Sequence, residues 1–435
     1  MAEPSRPTDG RMHVVLDARY LSRHQSGIGY YTQRLIGGLA AIDRVNRYTC
    51  VVVRDGPGLP VSQPNVGCWS TRVSFDDHVL GDLWLLGYLP LRLRALGADV
   101  YHGPAVFSPL VKLGYRTVVT IHDLVSFLFP DTVPRKYSLY MRLMTRLAVW
   151  SADRIIAVSH ATRGDLTRIL RVPEDHVVVI HEGVAPEFRV TADVKTQDAV
   201  IHRYGIRPPY CLFVGNLEPR KNLPRLIEAF GLLRARGLTP PDMPQLVLVG
   251  TRGWLYSGIF RAVEAQGLGG DIVFTGYVPP ADLPALYAGA ACFVFPSLYE
   301  GFGLPVLEAM SAGTPVVASR VGAIPEVAGD AAVLVDAHRP VELADGIASV
   351  LTDGALRDRL VARGRVRAQA FTWERVARET LAVYESAHTG AARNTAPPPL
   401  DVRGSRGGPP EGRDGPRAEG PRRPGDPTGG TPPRG

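Results

Sequence analysis

The sequence predicts an α/β fold of two doubly wound parallel-sheet domains facing a cleft, followed by a disordered C-terminal tail. Two successive series of short apolar runs alternate with helical stretches, a proline-bearing polar segment separates them, and composition changes abruptly near residue 391. With 435 residues, 45% of them hydrophobic, the chain can bury two ordinary domain cores.

In chain order, strand-type runs fall at 14–16, 48–53, 117–121, 154–158 and 176–180, the rhythm of a parallel sheet with crossover helices. A second series falls at 210–215, 245–250, 272–275, 291–295, 315–318 and 332–335. Between them lie Pro186, Pro208 and Pro209 in a polar, irregular stretch suited to a linker. We therefore expect a first domain over 12–185, a linker over 186–208 and a second domain over 209–372. A terminal helix follows over 373–390, with a crossing back to the first domain as one option. Residues 391–435 are rich in Pro, Gly and Arg and poor in large apolar side chains; such a segment cannot offset its ordering entropy and is expected to be disordered.

In open α/β sheets ligands bind outside the carboxyl ends of the strands, so the candidate residues are sought at strand-to-helix junctions. The strongest is Tyr299-Glu300-Gly301-Phe302-Gly303-Leu304-Pro305, with Glu308 eight residues after Glu300. Pro305 suits the first turn of a helix, where its missing N–H costs nothing. Gly301 and Gly303 let backbone amides approach a ligand, and the start of a helix at Leu304 favours an anion such as phosphate. One carboxylate can then reach a reacting group while the other binds polyol hydroxyls such as those of ribose. The plainer reading is two solvated glutamates; the flanking glycines and strands favour the functional one.

Gly215-Asn-Leu-Glu-Pro-Arg220-Lys221-Asn222 follows the first strand of the second series. Adjacent cations there can clamp a diphosphate, Arg220 as a fork and Lys221 as a point charge. An exposed basic turn is the alternative. Ser26-Gly27-Ile28-Gly29 follows the first strand of the chain and can bring amides to a donor phosphate from the opposite side. Val119-Thr-Ile-His122-Asp123 ends a buried strand with two polar side chains; His122 can bond a sugar hydroxyl and Asp123 can orient it or the acceptor. Asp17 and Arg19 read as a turn salt bridge, with shaping of an acceptor cleft as the alternative, His102 as a structural turn residue, and Ser159-His160-Ala-Thr162 as a turn and helix cap. The 274–278 segment is a candidate wall for a nucleotide base.

The pattern E-G-F-G-L-P-x-L-E-A-M-x-x-G-x-P-V-V-A-S resembles the glutamate-x7-glutamate signature of retaining, nucleotide-sugar-dependent glycosyltransferases of family 4 (glycosyl transferases group 1). Glu-Pro-Arg-Lys-Asn is similar to its bacterial mannosyltransferase branch, although Asn216 stands where many relatives carry Arg. The resemblance spans roughly 12–388. It implies the GT-B architecture of two Rossmann-like domains. It implies catalytic roles for His122 and Glu300, and diphosphate binding by Gly27, Gly29, Arg220, Lys221, Gly303 and Leu304. Gly301 and Phe302 would hold the donor sugar and Glu308 the ribose. The implied reaction moves a hexose, mannose from GDP-mannose as the first choice, to a glycan, lipid-linked or small-molecule acceptor; UDP- and dTDP-sugars are the alternatives. Replacing Glu300 or Lys221 by Ala is then expected to cut turnover heavily with folding intact.

No Asp-x-Asp pair occurs, so chemistry without a metal is expected, and no cofactor is called for. The net charge of +7 is spread along the chain with no basic-aromatic signature, which argues against nucleic acid. The four cysteines have no metal-ligand spacing and read as buried thiols of a reducing compartment. No signal-peptide or membrane-span stretch is evident; a cytoplasmic location follows, with contact at the inner face of the plasma membrane through a basic amphipathic helix (Arg135, Lys136, Arg142, Arg146) as an option. Rival readings are a phosphorylase or epimerase on the same architecture and a catalytically silent nucleotide-sugar-binding scaffold.

Overall fold

The computed structural model describes residues 11–21, 27–74, 78–189, 194–238 and 243–390. Ser26 and the tail over 391–435 lie outside the described residues.

The first domain is built on seven parallel strands: β1 (His13–Asp17), β2 (Arg47–Val53), β3 (Val66–Thr71), β4 (Val100–Gly103), β5 (Arg116–Ile121), β6 (Arg154–Ala157) and β7 (Val177–Val179). Their order is β3-β2-β1-β4-β5-β6-β7. The second has six: β8 (Tyr210–Val214), β9 (Gln245–Val249), β10 (Ile272–Gly276), β11 (Cys292–Phe295), β12 (Val316–Ser319) and β13 (Ala332–Val335), ordered β10-β9-β8-β11-β12-β13. Both sheets are parallel throughout. The central strands carry continuous apolar runs because helices cover both faces and bury every side chain; Cys292–Phe295 is buried at all four positions.

In both sheets the strand order reverses beside the first strand, between β1 and β4 and between β8 and β11. A crevice opens at such a switch point. The glycine loop after β1, the basic turn after β8 and the glutamate loop after β11 all leave their sheets there.

Two strands go beyond the sequence expectation. β4 is only Val-Tyr-His-Gly, so His102 is a strand residue and not a turn residue. Its ring is fully buried between the Tyr384 hydroxyl at 2.6 Å and Thr120 Oγ1 at 2.9 Å, and burial, aided by nearby His122, pushes its pKa down to about 3. β3 is an edge strand with mixed exposure, and it carries Cys68 outward. Cys50, Cys211 and Cys292 are buried as expected, but Cys68 is exposed, because an edge strand has one uncovered flank.

The helix Trp373–His388 packs on the first domain. Trp373, Val376, Tyr384 and Ala387 share a core with β1, β2 and the helix Gly27–Ile42. The approach is close: a Cβ on Gly38 would meet Ala377 Cβ and the Trp373 carbonyl at 2.9 Å, and one on Gly183 would meet Trp373 N at 2.5 Å. Arg135–Ser151 is a helix whose buried stripe includes Met144, Thr145 and Ala148. Leu139 and Leu143 of this helix face outward at 71% and 43% exposure, since i and i+4 share one helix face and here it is the solvent face. Arg142 and Arg146 lie over the ring of Phe127. Among the described residues no helix is long and apolar enough to cross a membrane.

Candidate active site

The loop after β11 ends at Gly303, whose φ of +109° admits few residues other than glycine. A Cβ there would lie 2.6 Å from Ile324 Cδ1. Leu304 then starts the helix Leu304–Ala312, with Pro305 in its first turn. Just before this helix the buried carboxylate of Glu300 receives Lys221 Nζ at 2.7 Å on one oxygen and Arg220 Nη1 at 2.9 Å on the other. Arg220 also donates to the Tyr299 carbonyl at 2.7 Å and to Glu218 Oε1 at 2.8 Å. The basic turn and the glutamate loop are thus one ionic cluster.

The charges set each other. Burial alone would raise the Glu300 carboxyl, but Arg220 and Lys221 outweigh it and hold the pKa at about 2. Lys221, buried and beside the Arg220 guanidinium, is pulled below its usual value despite Glu300. Arg220 resists its own burial through Glu300, Glu218 and Asp123 and stays charged. An anion entering here meets two fixed cations whose present partners are carboxylates.

Glu308 stands one turn into the helix and apart from that cluster. Its Oε2 accepts a hydrogen bond of 2.8 Å from the Tyr287 hydroxyl. Burial, only partly opposed by this bond, lifts its pKa to about 7. The structure therefore gives the two glutamates opposite electrostatics, one permanently ionised and one poised near neutrality.

The first domain supplies the facing wall. His122 Nδ1 lies 2.9 Å from Glu182 Oε1, and Nε2 lies 2.9 Å from the Pro104 carbonyl. A carbonyl oxygen only accepts, so Nε2 carries a proton, and Nδ1 shares a hydrogen bond with the Glu182 carboxyl group. Burial pulls the His122 pKa down, but Glu182 and Pro104 together raise it above its ordinary value. Both contacts favour the protonated ring. Asp123 Oδ1 caps the next turn by accepting from Val125 N at 3.0 Å.

The two walls touch at Gly301. A Cβ on it would fall 1.7 Å from the His122 carbonyl oxygen, so the second domain reaches the end of β5 only through a glycine. The Gly301 carbonyl accepts from Ser159 Oγ at 2.7 Å and Thr162 Oγ1 at 3.2 Å, while Ser159 caps its own helix by accepting from Thr162 N. Beside this, Glu326 accepts from the backbone amides of His160 at 2.9 Å and Ala161 at 3.2 Å, and pairs with His181 at 2.5 Å. His160, His181 and Glu326 are the group of described residues that could hold a metal ion; here the carboxylate serves as a helix cap across the domain boundary. Tyr299 adds a 2.7 Å bond to Asp165.

Gly27 and Gly29 open the helix Gly27–Ile42, and the space where a Gly27 Cβ would stand is empty. The Phe302 ring is buried between His181 and Phe371, leaving its backbone to face a ligand. The 274–278 segment lies at the end of the edge strand β10, with Phe274 stacked on Phe260. Asp17 and Arg19 form a buried pair at 2.8 Å. Next to His122 and Arg220 a cavity of about 360 Å³ opens between the domains, lined also by Asp123, Glu218, Tyr137 and Trp254. Sequence reasoning gave no role to Glu182, Tyr137 and Trp254, each alone in its segment with no repeated spacing to mark it, and quoted Glu218 only as part of the basic turn.

Two family models match the chain, Glycosyltransferase Family 4 over residues 25–188 and Glycosyl transferases group 1 over residues 197–367. The chain is 36% identical over 294 residues to O-antigen chain mannosyltransferase B of Escherichia coli, covering 67% of this chain and 76% of that protein. It is 30% identical over 275 residues to the serotype-specific mannosyltransferase WbdA of Escherichia coli, covering 62% of this chain and 34% of that one. Sucrose-phosphate synthase from Thermosynechococcus elongatus shares the fold with a TM-score of 0.71 at 22% identity, over 87% of this chain and 100% of that one. Two parallel-sheet domains of this order, with these matches, define a glycosyltransferase of GT-B architecture. The chain belongs to glycosyltransferase family 4.

Proposed function

We propose that this glycosyltransferase moves mannose from GDP-mannose to an acceptor hydroxyl with retention of configuration and without a metal ion. The observation that carries the reading is the Arg220–Lys221–Glu300 cluster at the start of the helix Leu304–Ala312. Its cations and the helix start suit a diphosphate, whose charge competes with Glu300 for Arg220 and Lys221. Glu300, displaced towards the cleft, then accepts from a hexose hydroxyl. The 301–303 backbone orients the sugar, the His122 ring, both of whose nitrogens are taken up by Glu182 and Pro104, walls it from the first domain, and Gly27 and Gly29 of that domain give amides.

In the reaction the bond from sugar C1 to the β-phosphate oxygen breaks and the acceptor oxygen bonds to C1 on the same face. The acceptor's proton passes to the departing phosphate oxygen, leaving GDP. Arg220, Lys221 and the Leu304 amide stabilise the charge that grows on that oxygen, the type of interaction worth most in a water-excluded site. The names of the two mannosyltransferase relatives support mannose. The test is proton-coupled carbon NMR of the product formed from GDP-mannose and a mannotriose acceptor in EDTA. An α-linked product is expected; a β-linked product, or turnover abolished by EDTA, overturns the reading.

Glu308 gives this reading a pH signature. Its native pKa of about 7 lies above the ordinary 4.5, so the folded state binds its proton more tightly than the unfolded one. Stability therefore falls as pH rises from about 4.5 through 7, by on the order of 2–3 kcal/mol after allowing for its partial exposure. The ionised form is the better acceptor for two ribose hydroxyls, so donor affinity is expected to rise over the same window. Glu308→Gln should flatten both dependences; wild-type pH profiles in that variant would remove Glu308 from ribose binding.

A further inference from the structure

The interdomain cavity has a feature the donor reading leaves unused. Trp254 reaches it from the second domain and Tyr137 from the first, with ring centroids 5.1 Å apart and planes inclined by 34°. Trp254 is 44% exposed and its neighbour Leu255 60% exposed. Trp254 and Leu255 are thus adjacent exposed apolar side chains beside the cavity that Trp254 lines.

The backbone that presents Trp254 is fixed. Leu217 N donates to the Thr251 carbonyl at 2.9 Å and Gly253 N to the Leu217 carbonyl at 3.0 Å, tying the loop to the turn that carries Glu218 and Arg220. Leu255 has a φ of +51°, a conformation that a leucine keeps only when its surroundings impose it. Trp254 is therefore held out on the cluster's own scaffold and is not a loose surface residue. Asp123 from the first domain and Glu218 from the second line the same cavity, and with burial their charges raise the Tyr137 pKa. Aromatic faces and carboxylates thus meet at one mouth of the cavity.

We propose that Trp254 and Tyr137 form a cross-domain aromatic wall that binds the sugar ring of a saccharide acceptor, with Asp123 and Glu218 receiving its hydroxyls. The less polar face of a hexose carries C–H bonds that rest on the electron-rich face of an aromatic ring, while its hydroxyls donate to carboxylates. A cavity of about 360 Å³ lies at the small end of ligand pockets, a fit for a saccharide terminus and not for an extended glycan. Because the wall exists only while the domains are together, acceptor binding favours the closed arrangement in which Gly301 meets His122. The inference rests on the transferase reading above, and its test separates the two.

The test uses the full chain, GDP present, and mannotriose as probe. Mannotriose should change the tryptophan fluorescence of the wild type, and Trp254→Phe should abolish that change although the chain keeps its other four tryptophans. In steady-state assays Trp254→Ala and Tyr137→Ala should each raise the acceptor KM by about ten-fold or more, with the thermal shift from GDP-mannose unaltered and partial rescue in Trp254→Phe. Wild-type acceptor KM in both alanine variants overturns the inference. So does a fluorescence response to decyl phosphate with none to mannotriose, which would make the cavity an alkyl-chain site. Absence of any thermal shift with GDP-mannose in the wild type would instead count against the donor reading, leaving the fluorescence arm, run with GDP or with UDP, to decide the wall.

Discussion

Glu300→Gln is expected to lower turnover by about two to three orders of magnitude and, in the same protein, to destabilise the ligand-free fold by roughly 3–5 kcal/mol. Both effects come from one contact set. Glu300 neutralises Arg220 at 2.9 Å and Lys221 at 2.7 Å, all three being largely buried, so the amide leaves two buried cations without their shared partner. Thermal unfolding without donor should show the loss directly. Saturating nucleotide diphosphate should restore much of it by supplying the missing charge, while kcat stays low because no carboxylate meets the hexose. The sequence alone suggested that this position could be changed with folding intact; the burial of its partners changes that expectation. A variant with wild-type stability and lowered kcat would mean the cluster is not the diphosphate seat.

Gly301→Ala is the second large effect, and it is steric. The new Cβ would lie 1.7 Å from the His122 carbonyl oxygen and 2.9 Å from Asp123 Cβ, both across the domain boundary, so neither domain can relieve the contact by a rotamer change. The domains must separate, breaking the bonds from Ser159 and Thr162 to the Gly301 carbonyl. Activity should drop by about a hundred-fold or more, because misplacement of this size at a reacting centre costs that much. Each domain keeps its own core, so far-UV circular dichroism should be unchanged while small-angle scattering reports a larger radius of gyration. An active Gly301→Ala enzyme would contradict the closed arrangement as the working one.

Much of this architecture is legible in the sequence because the central strands of a doubly wound sheet are buried on both faces and read as apolar runs. β8 to β13 stand where such runs occur. β3 and β4 escape because one is a half-exposed edge strand and the other four residues long with a histidine in it. Arg220, Lys221 and Glu300 can be picked out singly, since glycine loops at strand-to-helix junctions have few other uses. Their union cannot, because it joins positions 79 residues apart, and local pattern carries no such information. Glu182 was hidden for the same reason, 60 residues from the His122 that it holds. Trp254 and Tyr137 meet only through the relative placement of two domains.

The most direct measurement is isothermal titration of GDP-mannose into the wild type and Arg220→Met in EDTA. Saturable binding is expected for the wild type, with a loss of roughly ten-fold or more in the variant, because a charge-assisted fork to phosphate is removed. Equal affinity in the two proteins, or binding that appears only when a divalent cation is added, would contradict the proposed function.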